Sequence, residues 1–307
     1  MKSLWNDADA SQFAEDDLDM RVYTSRLLGA EESLVMHGGG TTSVKGTAKD
    51  FLGNAVDVLY VKGSGWDLKT IERPGFPAIR LQETRQLAEL EALSDTDMTQ
   101  QLRAQMLDPT SPSPSVEAIL HAILPPKFVD HTHTDAIVTL TNHPRGREIT
   151  NEVFPDCLVL PYIMPGFILS KQVYHALKGL NLAQYKGIIL EHHGVFTFSD
   201  DAREAYENMI ELVSRGEDYI AANGVTEHPT ANNAIDLRSL ATIRKAVSEA
   251  RGHAQLAVLD DSPDAQGFAN LTNVADIATR GPITPDHVIR TKRIPAIIPC
   301  KPQADGR

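Results

Sequence analysis

Cysteine is scarce in this sequence, and basic residues are outnumbered by acidic ones. The two cysteines, Cys157 and Cys300, are too few and too far apart for a disulfide framework or a cysteine-based metal site. The 29 basic and 41 acidic residues give a net charge of −12, which argues against a nucleic-acid backbone as a partner. We therefore expect a reduced, cytoplasmic protein that does not bind nucleic acid.

Long apolar runs are also missing. Residues 1–10 contain no apolar signal region. The most apolar run, residues 157–169, is too short to span a bilayer and is interrupted by Pro161 and Pro165. We expect no membrane partner. The length of 307 residues and the hydrophobic content of 42% leave ample material for one large domain or two modest ones.

Histidines stand where two predicted strands end. His131 and His133 belong to the stretch VDHTHTD (129–135), and a second apolar strand, residues 188–190, runs into His193. Side chains two residues apart on a strand project to the same face, so His131 and His133 can reach one metal ion. Three histidines that leave one position open are the usual composition of a catalytic zinc site. The alternative from the residues alone is a surface histidine pair.

Glycine-rich turns adjoin two predicted strands. Residues 38–45 (GGGTTSVK) enter one strand, and residues 62–65 (KGSG) follow the strand Ala55–Val61. Glycines let backbone amides approach a ligand closely, and an anion is the natural guest. Either turn alone could be a flexible hairpin, but two such turns favour a pocket for a polyanion or a sugar phosphate.

A carboxylate and another histidine lie near a predicted helix start. Ser113 as the cap and Pro114 in the first turn predict a helix that contains Glu117. The helix dipole favours a carboxylate there, which is a purely structural explanation for Glu117. His121 lies four residues on and hence on the same face. Such a pair is more often structural than catalytic.

Strands and helices alternate along the chain, which favours an α/β fold with a sheet covered by helices on both faces. The pattern predicts a helix over residues 11–28 that Gly29 stops, and strands over residues 187–190 and 195–198. The strand at 195–198 leads into a long helix over about residues 200–222.

The composition changes near residue 225. A polar linker occupies residues 223–234, and the tail beyond it is too small to be a convincing independent enzyme. Within that tail, the pattern predicts a helix over residues 237–251, a short strand over residues 255–260 and a helix over residues 263–280. We therefore expect a catalytic domain over residues 1–225, followed by a linker and C-terminal extension over residues 226–307.

Five of these stretches together resemble the class II aldolase/adducin family, which includes sugar-phosphate aldolases and a 4-epimerase. In chain order they are GGGTTSVK (38–45), KGSG (62–65), SVE (115–117), HTH (131–133) and HG (193–194). Their order and spacing fit the family over about residues 20–225.

The sequence is most similar to the aldolase half of two-domain proteins that join such an aldolase to a short-chain dehydrogenase, of the rhamnulose-1-phosphate aldolase/alcohol dehydrogenase type. The matching stretches are VKGSGWDL (61–68), PYIMPGF (161–167) and TPDH (284–287). In that subgroup the tail beyond residue 235 connects to the dehydrogenase. This chain ends at Arg307, so we expect the dehydrogenase half to be absent.

The resemblance implies a fold and a set of site residues. The implied fold is a three-layer αβα arrangement with a central mixed, largely antiparallel sheet and a small C-terminal extension. The resemblance implies that a zinc ion, or another divalent metal, is held by His131, His133 and His193, and that Glu117 is the catalytic acid/base. The resemblance also implies substrate and phosphate contacts at Gly40, Thr41, Ser64, Gly65 and Ser115. His121 and His192 are candidates for residues that contact the metal ligands without binding the metal themselves.

Two positions depart from the family pattern. The family commonly has Asn where this chain has Thr41, and many members have a second Ser where it has Val116. Both departures remove a side-chain amide or hydroxyl from the phosphate pocket.

These assignments predict a zinc-dependent class II aldolase that cleaves a ketose 1-phosphate, such as rhamnulose 1-phosphate, to dihydroxyacetone phosphate and a small aldehyde such as lactaldehyde. Lys45 and Lys62 would be charge partners for the substrate, and the family resemblance implies a homo-oligomer. Alternatives are a sugar-phosphate 4-epimerase, a 3-oxo-acid phosphate decarboxylase and a zinc hydrolase with three histidine ligands. The alternative of another class is a non-catalytic scaffold domain of the adducin type, which should lack the metal ligands and the glutamate, whereas this chain keeps all four.

Overall fold

The computed structural model describes residues 1–224, 230–234 and 236–298. Contacts divide the chain into two units. The first unit consists of Met1–Ala222 together with Pro282–Thr291, and the second takes the remaining described residues. Over the described ranges, no helix combines the length and apolar character that crossing a membrane requires.

The first unit is built around one mixed sheet. In the described residues its seven strands follow the spatial order β3-β2-β1-β4-β7-β6-β5. Only the β5–β6 pairing is parallel, and the other five pairings are antiparallel. The strands are β1 (Thr41–Lys49), β2 (Ala55–Val61), β3 (Ala78–Arg80), β4 (Phe128–Thr132), β5 (Cys157–Leu160), β6 (Gly187–Leu190) and β7 (Gly194–Ser199).

Helices flank the sheet in the first unit and also occur in the described part of the second unit. In the first unit they are α1 (Asp7–Ala10), α2 (Asp17–Gly29), α3 (Leu81–Leu87), α4 (Asp95–Ala104), α5 (Ala118–Ile123), α6 (Asp135–Thr141), α7 (Gly146–Val153), α8 (Phe167–Leu177) and α9 (Ala202–Asn223). The second unit contains α10 (Leu237–Arg251), α11 (Pro263–Ala269) and α12 (Val274–Ala278), whereas α13 (Pro285–Arg290) belongs to the first.

Side chains alternate across the sheet and separate two layers of helices. On β4, Phe128 packs in a core with α2, α6, α7 and α9, whereas Val129 packs on the opposite face with α5 and α8. On β6, Ile189 and Ile188 divide in the same way. The cluster of β2 and β3 with α3, α4 and α5 continues the second layer. This arrangement confirms the predicted three-layer α/β fold with a largely antiparallel sheet.

The N-terminal helix differs from the prediction. It begins at Asp17, where the Asp16 carboxylate accepts hydrogen bonds from two backbone amides, and it includes Gly29 instead of ending before it. A Cβ atom at Gly29 would lie 2.2 Å from the backbone nitrogen of Lys69. The close approach of another chain segment therefore explains the glycine at position 29, where the sequence pattern predicts the end of the helix.

The second unit bears out one of its local predictions and corrects two others. Helix α10 has the predicted extent, but residues 255–260 contain no strand, because the apolar side chains Leu256 and Val258 are almost fully exposed and face no sheet. The predicted helix over residues 263–280 is divided into α11 and α12. Part of the predicted linker, residues 225–229, lies outside the described residues.

Candidate metal centre

The two histidines of β4 are oriented by the sheet. His131 lies opposite Thr41 of β1 and Phe196 of β7. Its Nδ1–H donates to the carbonyl of Val195 at 3.0 Å, and its ring stacks on that of Phe196 with a centroid distance of 4.0 Å. His133 follows the last residue of the strand, and its Nε2 lies 3.1 Å from that of His131. The predicted convergence of these two imidazoles is present.

Two further side chains reach the same point from other elements. His193 lies in the tight turn between β6 and β7, where His192 adopts a left-handed conformation with φ of 57°. Glu117 occupies the cap position before α5. Its Oε1 lies 3.3 Å from His131 Nε2 and 3.4 Å from His193 Nε2. One ligand atom from each of Glu117, His131, His133 and His193 can be chosen so that all lie within 4.8 Å of one another.

Gly194 allows the histidine rings to approach. A Cβ atom at this position would lie 2.3 Å from the carbonyl oxygen of Thr132, 3.1 Å from Cε1 of His131 and 3.2 Å from Cδ2 of His133. Any side chain at position 194 would therefore force β4 or the two rings to move.

The Nδ1 atoms of His131 and His133 make hydrogen bonds that leave the Nε2 atoms of both rings free. His131 donates through Nδ1 to a carbonyl, and His133 Nδ1 lies 2.6 Å from the carboxylate of Asp286. A neutral imidazole that donates through Nδ1 has a bare lone pair on Nε2. Two such lone pairs at 3.1 Å repel each other unless a cation lies between them.

The donor set fits a divalent metal. In a tetrahedral zinc site with Zn–N bonds of about 2.0–2.1 Å, neighbouring ligand atoms are about 3.3–3.4 Å apart. The separations of 3.1, 3.3 and 3.4 Å among His131, His133, His193 and Glu117 are close to such edges. Three imidazoles and a carboxylate are the ligand types that zinc binds.

Contacts with His131 and His193 favour the ionised form of the Glu117 carboxylate. Burial alone would raise the pKa of Glu117, but the adjacent His131 and His193 outweigh it and hold that pKa well below its usual value. Burial lowers the pKa of His193 to about 4, although Glu117 opposes the shift. A carboxylate beside a neutral imidazole is the protonation state that binds a metal.

The hydroxyl groups predicted to contact phosphate surround the carboxylate of Glu117. Thr41 donates to Glu117 Oε2 at 2.9 Å, and Ser115 Oγ lies 3.0 Å from the Thr41 hydroxyl. The Ser115 hydroxyl also accepts a hydrogen bond from the Glu117 backbone amide at 3.2 Å. The three side chains are buried together, so Thr41 and Ser115 orient the carboxylate whether or not they also meet a substrate.

The prediction that Ser113 and Pro114 open the helix is wrong. Pro114 pairs with Gly63 in an isolated β-bridge, and the amide of Ser64 donates to the carbonyl of Ser113 at 2.8 Å. These contacts with the turn at residues 62–65 hold residues 113–115 out of the helix, which begins at Ala118. The same contacts bring the second glycine-rich turn beside Glu117.

Two basic side chains lie at the glycine-rich turns. Lys62 is buried, its Nζ donates to the carbonyl of Gly38 at 2.7 Å, and burial lowers its pKa to about 8. A Cβ atom added to Gly38 would lie 2.7 Å from Nη2 of Arg290, so this guanidinium covers that turn. Ser64 and Gly65 are exposed next to them. Gly40 has φ of 59°, and a Cβ atom there would lie 2.8 Å from the carbonyl oxygen of His131 on β4.

Three residues considered from the sequence lie outside the cluster. His121 is buried, its Nδ1 lies 2.8 Å from the Ser43 hydroxyl, and burial lowers its pKa well below the usual value. His192 is exposed and bonds to Asn142. Lys45 donates to two backbone carbonyls, and burial lowers its pKa to about 7.

Sequence reasoning missed Asp286, which the structure brings to His133 from 153 residues away. Its only signal was the stretch TPDH (284–287), in which Thr284 and Pro285 predict a helix start. No local pattern relates that helix start to β4.

Comparison with known sequences agrees with this geometry. The sequence profile of the family described as class II aldolase and adducin N-terminal domain matches residues 20–219. A second profile, described as aldolase class II, second domain, matches residues 234–307. The chain belongs to the class II aldolase and adducin family.

Two relatives illustrate the extent of the match. The N-terminal class II aldolase domain of a conserved protein from Thermoplasma acidophilum has 41% identity and a TM-score of 0.66, and the match covers 72% of this chain and 99% of that one. A Bacillus subtilis protein named uncharacterized oxidoreductase YuxG is 32% identical over 99% of this chain and 45% of its own length. The chain thus spans less than half of that relative.

Proposed function

We propose that the protein is a zinc-dependent aldolase that reversibly cleaves a ketose 1-phosphate. The observation that carries this proposal is the convergence of three imidazole ε nitrogens on the ionised carboxylate of Glu117. In the proposal His131, His133 and His193 hold the ion and Glu117 moves the proton. Another divalent metal would suit the same donors.

The residues have separate roles in this mechanism. A divalent ion held by the three histidines would supply Lewis-acid polarisation of the substrate ketone. Glu117 is held by Thr41 at 2.9 Å and is ionised, so it can accept a proton from the hydroxyl group next to the bond that breaks. The carbon–carbon bond then breaks, the hydroxyl carbon becomes an aldehyde, and the electron pair stays on the ketone fragment. Return of the proton to that fragment completes the ketone product.

In the proposal the phosphate group of the substrate binds at the two glycine-rich turns. Gly40, Ser64 and Gly65 offer backbone amides or a hydroxyl there, and Lys62 and Arg290 supply positive charge. The favoured substrate is a 6-deoxyketose 1-phosphate such as rhamnulose 1-phosphate. Its products are dihydroxyacetone phosphate and lactaldehyde.

A substrate screen tests the proposal. The zinc-loaded protein is incubated with a panel of ketose 1-phosphates, and release of dihydroxyacetone phosphate is followed by a coupled assay. Unphosphorylated ketoses, a 3-oxo-acid phosphate and a simple ester are run beside them. Release of dihydroxyacetone phosphate supports the proposal. A C-4 epimer, a decarboxylated product, ester hydrolysis or no turnover by folded, metal-loaded protein would contradict it.

Assembly, location and domain roles remain predictions of the same proposal. We expect a homo-oligomer in the cytoplasm, with catalysis assigned to residues 1–225 and no membrane or nucleic-acid partner. Light scattering at micromolar concentration checks the assembly, and a stable monomer would contradict that part of the prediction.

A further inference from the structure

We propose that Asp286 is a positioning residue of the metal centre, supplied by a segment that the sequence assigns to the C-terminal extension. Residues 282–291 lie in the stretch matched by the second family profile, yet they fold with the first unit. The inference rests on the proposed function, because it requires that His133 binds a metal ion.

The contact between Asp286 and His133 is direct and buried. Oδ1 of the carboxylate lies 2.6 Å from His133 Nδ1, and only 3% of the Asp286 side chain is exposed. A carboxylate that accepts from Nδ1 fixes the tautomer, so that the Nε2 lone pair points into the cluster. It also makes the imidazole a stronger donor to a metal.

Further contacts hold the carboxylate in place. Oδ2 accepts a hydrogen bond from the backbone amide of Met36 at 2.8 Å. A Cβ atom at Gly39 would lie 1.7 Å from Oδ1, so the carboxylate occupies the space that a side chain would need there. Asp286 therefore joins the first glycine-rich turn to the histidine cluster, and Gly39 leaves room for it.

The segment is anchored on its own helix start. Thr284 is the cap of α13, is 2% exposed, and has its hydroxyl 2.7 Å from His287 Nδ1. Thr284 touches neither His133 nor Met36 through a hydrogen bond in the described structure. It can therefore be altered to loosen the segment while the Asp286 carboxylate remains.

The competing explanation is that Asp286 only fastens residues 282–291 to the turn at Met36. The two explanations differ in metal affinity. Loss of a carboxylate behind a metal-binding histidine typically weakens affinity by about 10–100-fold. A residue that only fastens the segment would alter the stability of the metal-free protein and leave the affinity of the folded site unchanged.

Asp286→Asn and Asp286→Ala separate the explanations. Asparagine replaces one of the two carboxylate oxygens with an NH2 donor, so only one of the two contacts, with His133 Nδ1 or with the Met36 amide, keeps its acceptor. The matched controls are Thr284→Ala, which loosens the same helix, and Asp264→Asn, an exposed first-turn aspartate of α11. For the wild-type chain of 307 residues and each variant of it we would measure the dissociation constant for zinc by chelator competition, the melting temperature without metal, and the absorption spectrum with cobalt.

We expect weaker zinc binding by about 10–100-fold in Asp286→Ala, a smaller loss in Asp286→Asn, and an altered cobalt spectrum in both. Thr284→Ala should lower the melting temperature and keep the wild-type affinity, and Asp264→Asn should change neither. Wild-type affinity in folded Asp286 variants would overturn the inference while leaving the proposed function intact. An equal affinity loss in Thr284→Ala would also overturn it. Absence of binding of zinc, cobalt and other divalent ions in the wild-type protein would refute the proposed function itself.

Discussion

Replacing Glu117 with glutamine separates a catalytic carboxylate from one that only begins a helix. Glutamine keeps the size of the side chain and can still accept the hydrogen bond from Thr41, which is 2.9 Å long in the native protein. It removes the negative charge and the proton acceptor that lie 3.3 Å from His131 and 3.4 Å from His193. The substitution therefore tests chemistry with little change of shape.

The two explanations predict effects of different size. Glu117 makes no side-chain hydrogen bond to the amides of α5, so its helix-dipole contribution is at most about 1 kcal/mol of stability. Loss of a general acid/base lowers kcat by roughly 10²–10⁴. That fall corresponds to about 2.7–5.4 kcal/mol of activation free energy. The catalytic effect is thus several times larger than the structural one.

The assay measures kcat, bound zinc and melting temperature on one preparation of Glu117→Gln. We expect the large loss of kcat with metal content near wild type, since the three histidines remain. The control is Glu83→Gln, an exposed first-turn glutamate of α3, which should leave all three quantities unchanged. Wild-type kcat with a lowered melting temperature in Glu117→Gln would refute the catalytic assignment.

Three further substitutions probe the packing, the buried charge and the anion site. Gly194→Ala places a methyl group 2.3 Å from the Thr132 carbonyl, so we expect about 1–3 kcal/mol of destabilisation and weaker zinc binding, measured by denaturation and chelator competition. Lys62 has its pKa lowered to about 8, so the folded protein binds fewer protons than the unfolded chain between that pH and about 10.4. Wild-type stability should therefore rise relative to Lys62→Met as pH increases from 8 to 10, by no more than about 1.4 kcal/mol per pH unit, and fall back as pH decreases to 8. Ser64→Ala should raise KM for a phosphorylated ketose about tenfold with kcat little changed, because a hydrogen bond to a charged group is lost.

Each of these predictions has a result that would contradict it. Gly46→Ala is the control for Gly194→Ala, because its new methyl group would make only ordinary contact, at 3.4 Å, with Tyr60. Equal stability losses in the two alanine variants would argue against the steric explanation. A stability difference between wild type and Lys62→Met that is constant with pH would argue against the lowered pKa. Equal turnover of the phosphorylated and unphosphorylated sugar would contradict the assignment of a phosphate site to the glycine-rich turns.

Local patterns predicted the elements that carry the histidines. The alternation of side chains on a strand is sufficient to place His131 and His133 on one side of the chain, and the structure has them there. The approach of His193 depends on the antiparallel pairing of β4 with β7, which brings Val195 opposite Thr132. That pairing is long-range, so the sequence could indicate another strand-end histidine but not its distance from the first two.

The errors arose where contacts between distant segments override local preference. Glycine is a residue type that commonly ends a helix, but Gly29 lies inside α2 and permits close approach of the Lys69 backbone. Ser113 and Pro114 are residue types that commonly begin a helix. The β-bridge between Pro114 and Gly63 holds them out of α5. The Asp286 contact with His133 spans 153 residues and has no local signature. Helix propensity is a weak guide at such positions because tertiary contacts contribute more to the free energy of folding than the propensity of one residue.

Metal content is the most direct test of the central claim that the histidine cluster is a metal site. Elemental analysis is performed on the purified protein and on His131→Ala, His133→Ala and His193→Ala, with folding checked by circular dichroism. The proposal predicts about one equivalent of zinc or another divalent ion per chain in the wild-type protein and its loss in each folded variant. Metal content that is unchanged in the three variants would contradict the claim.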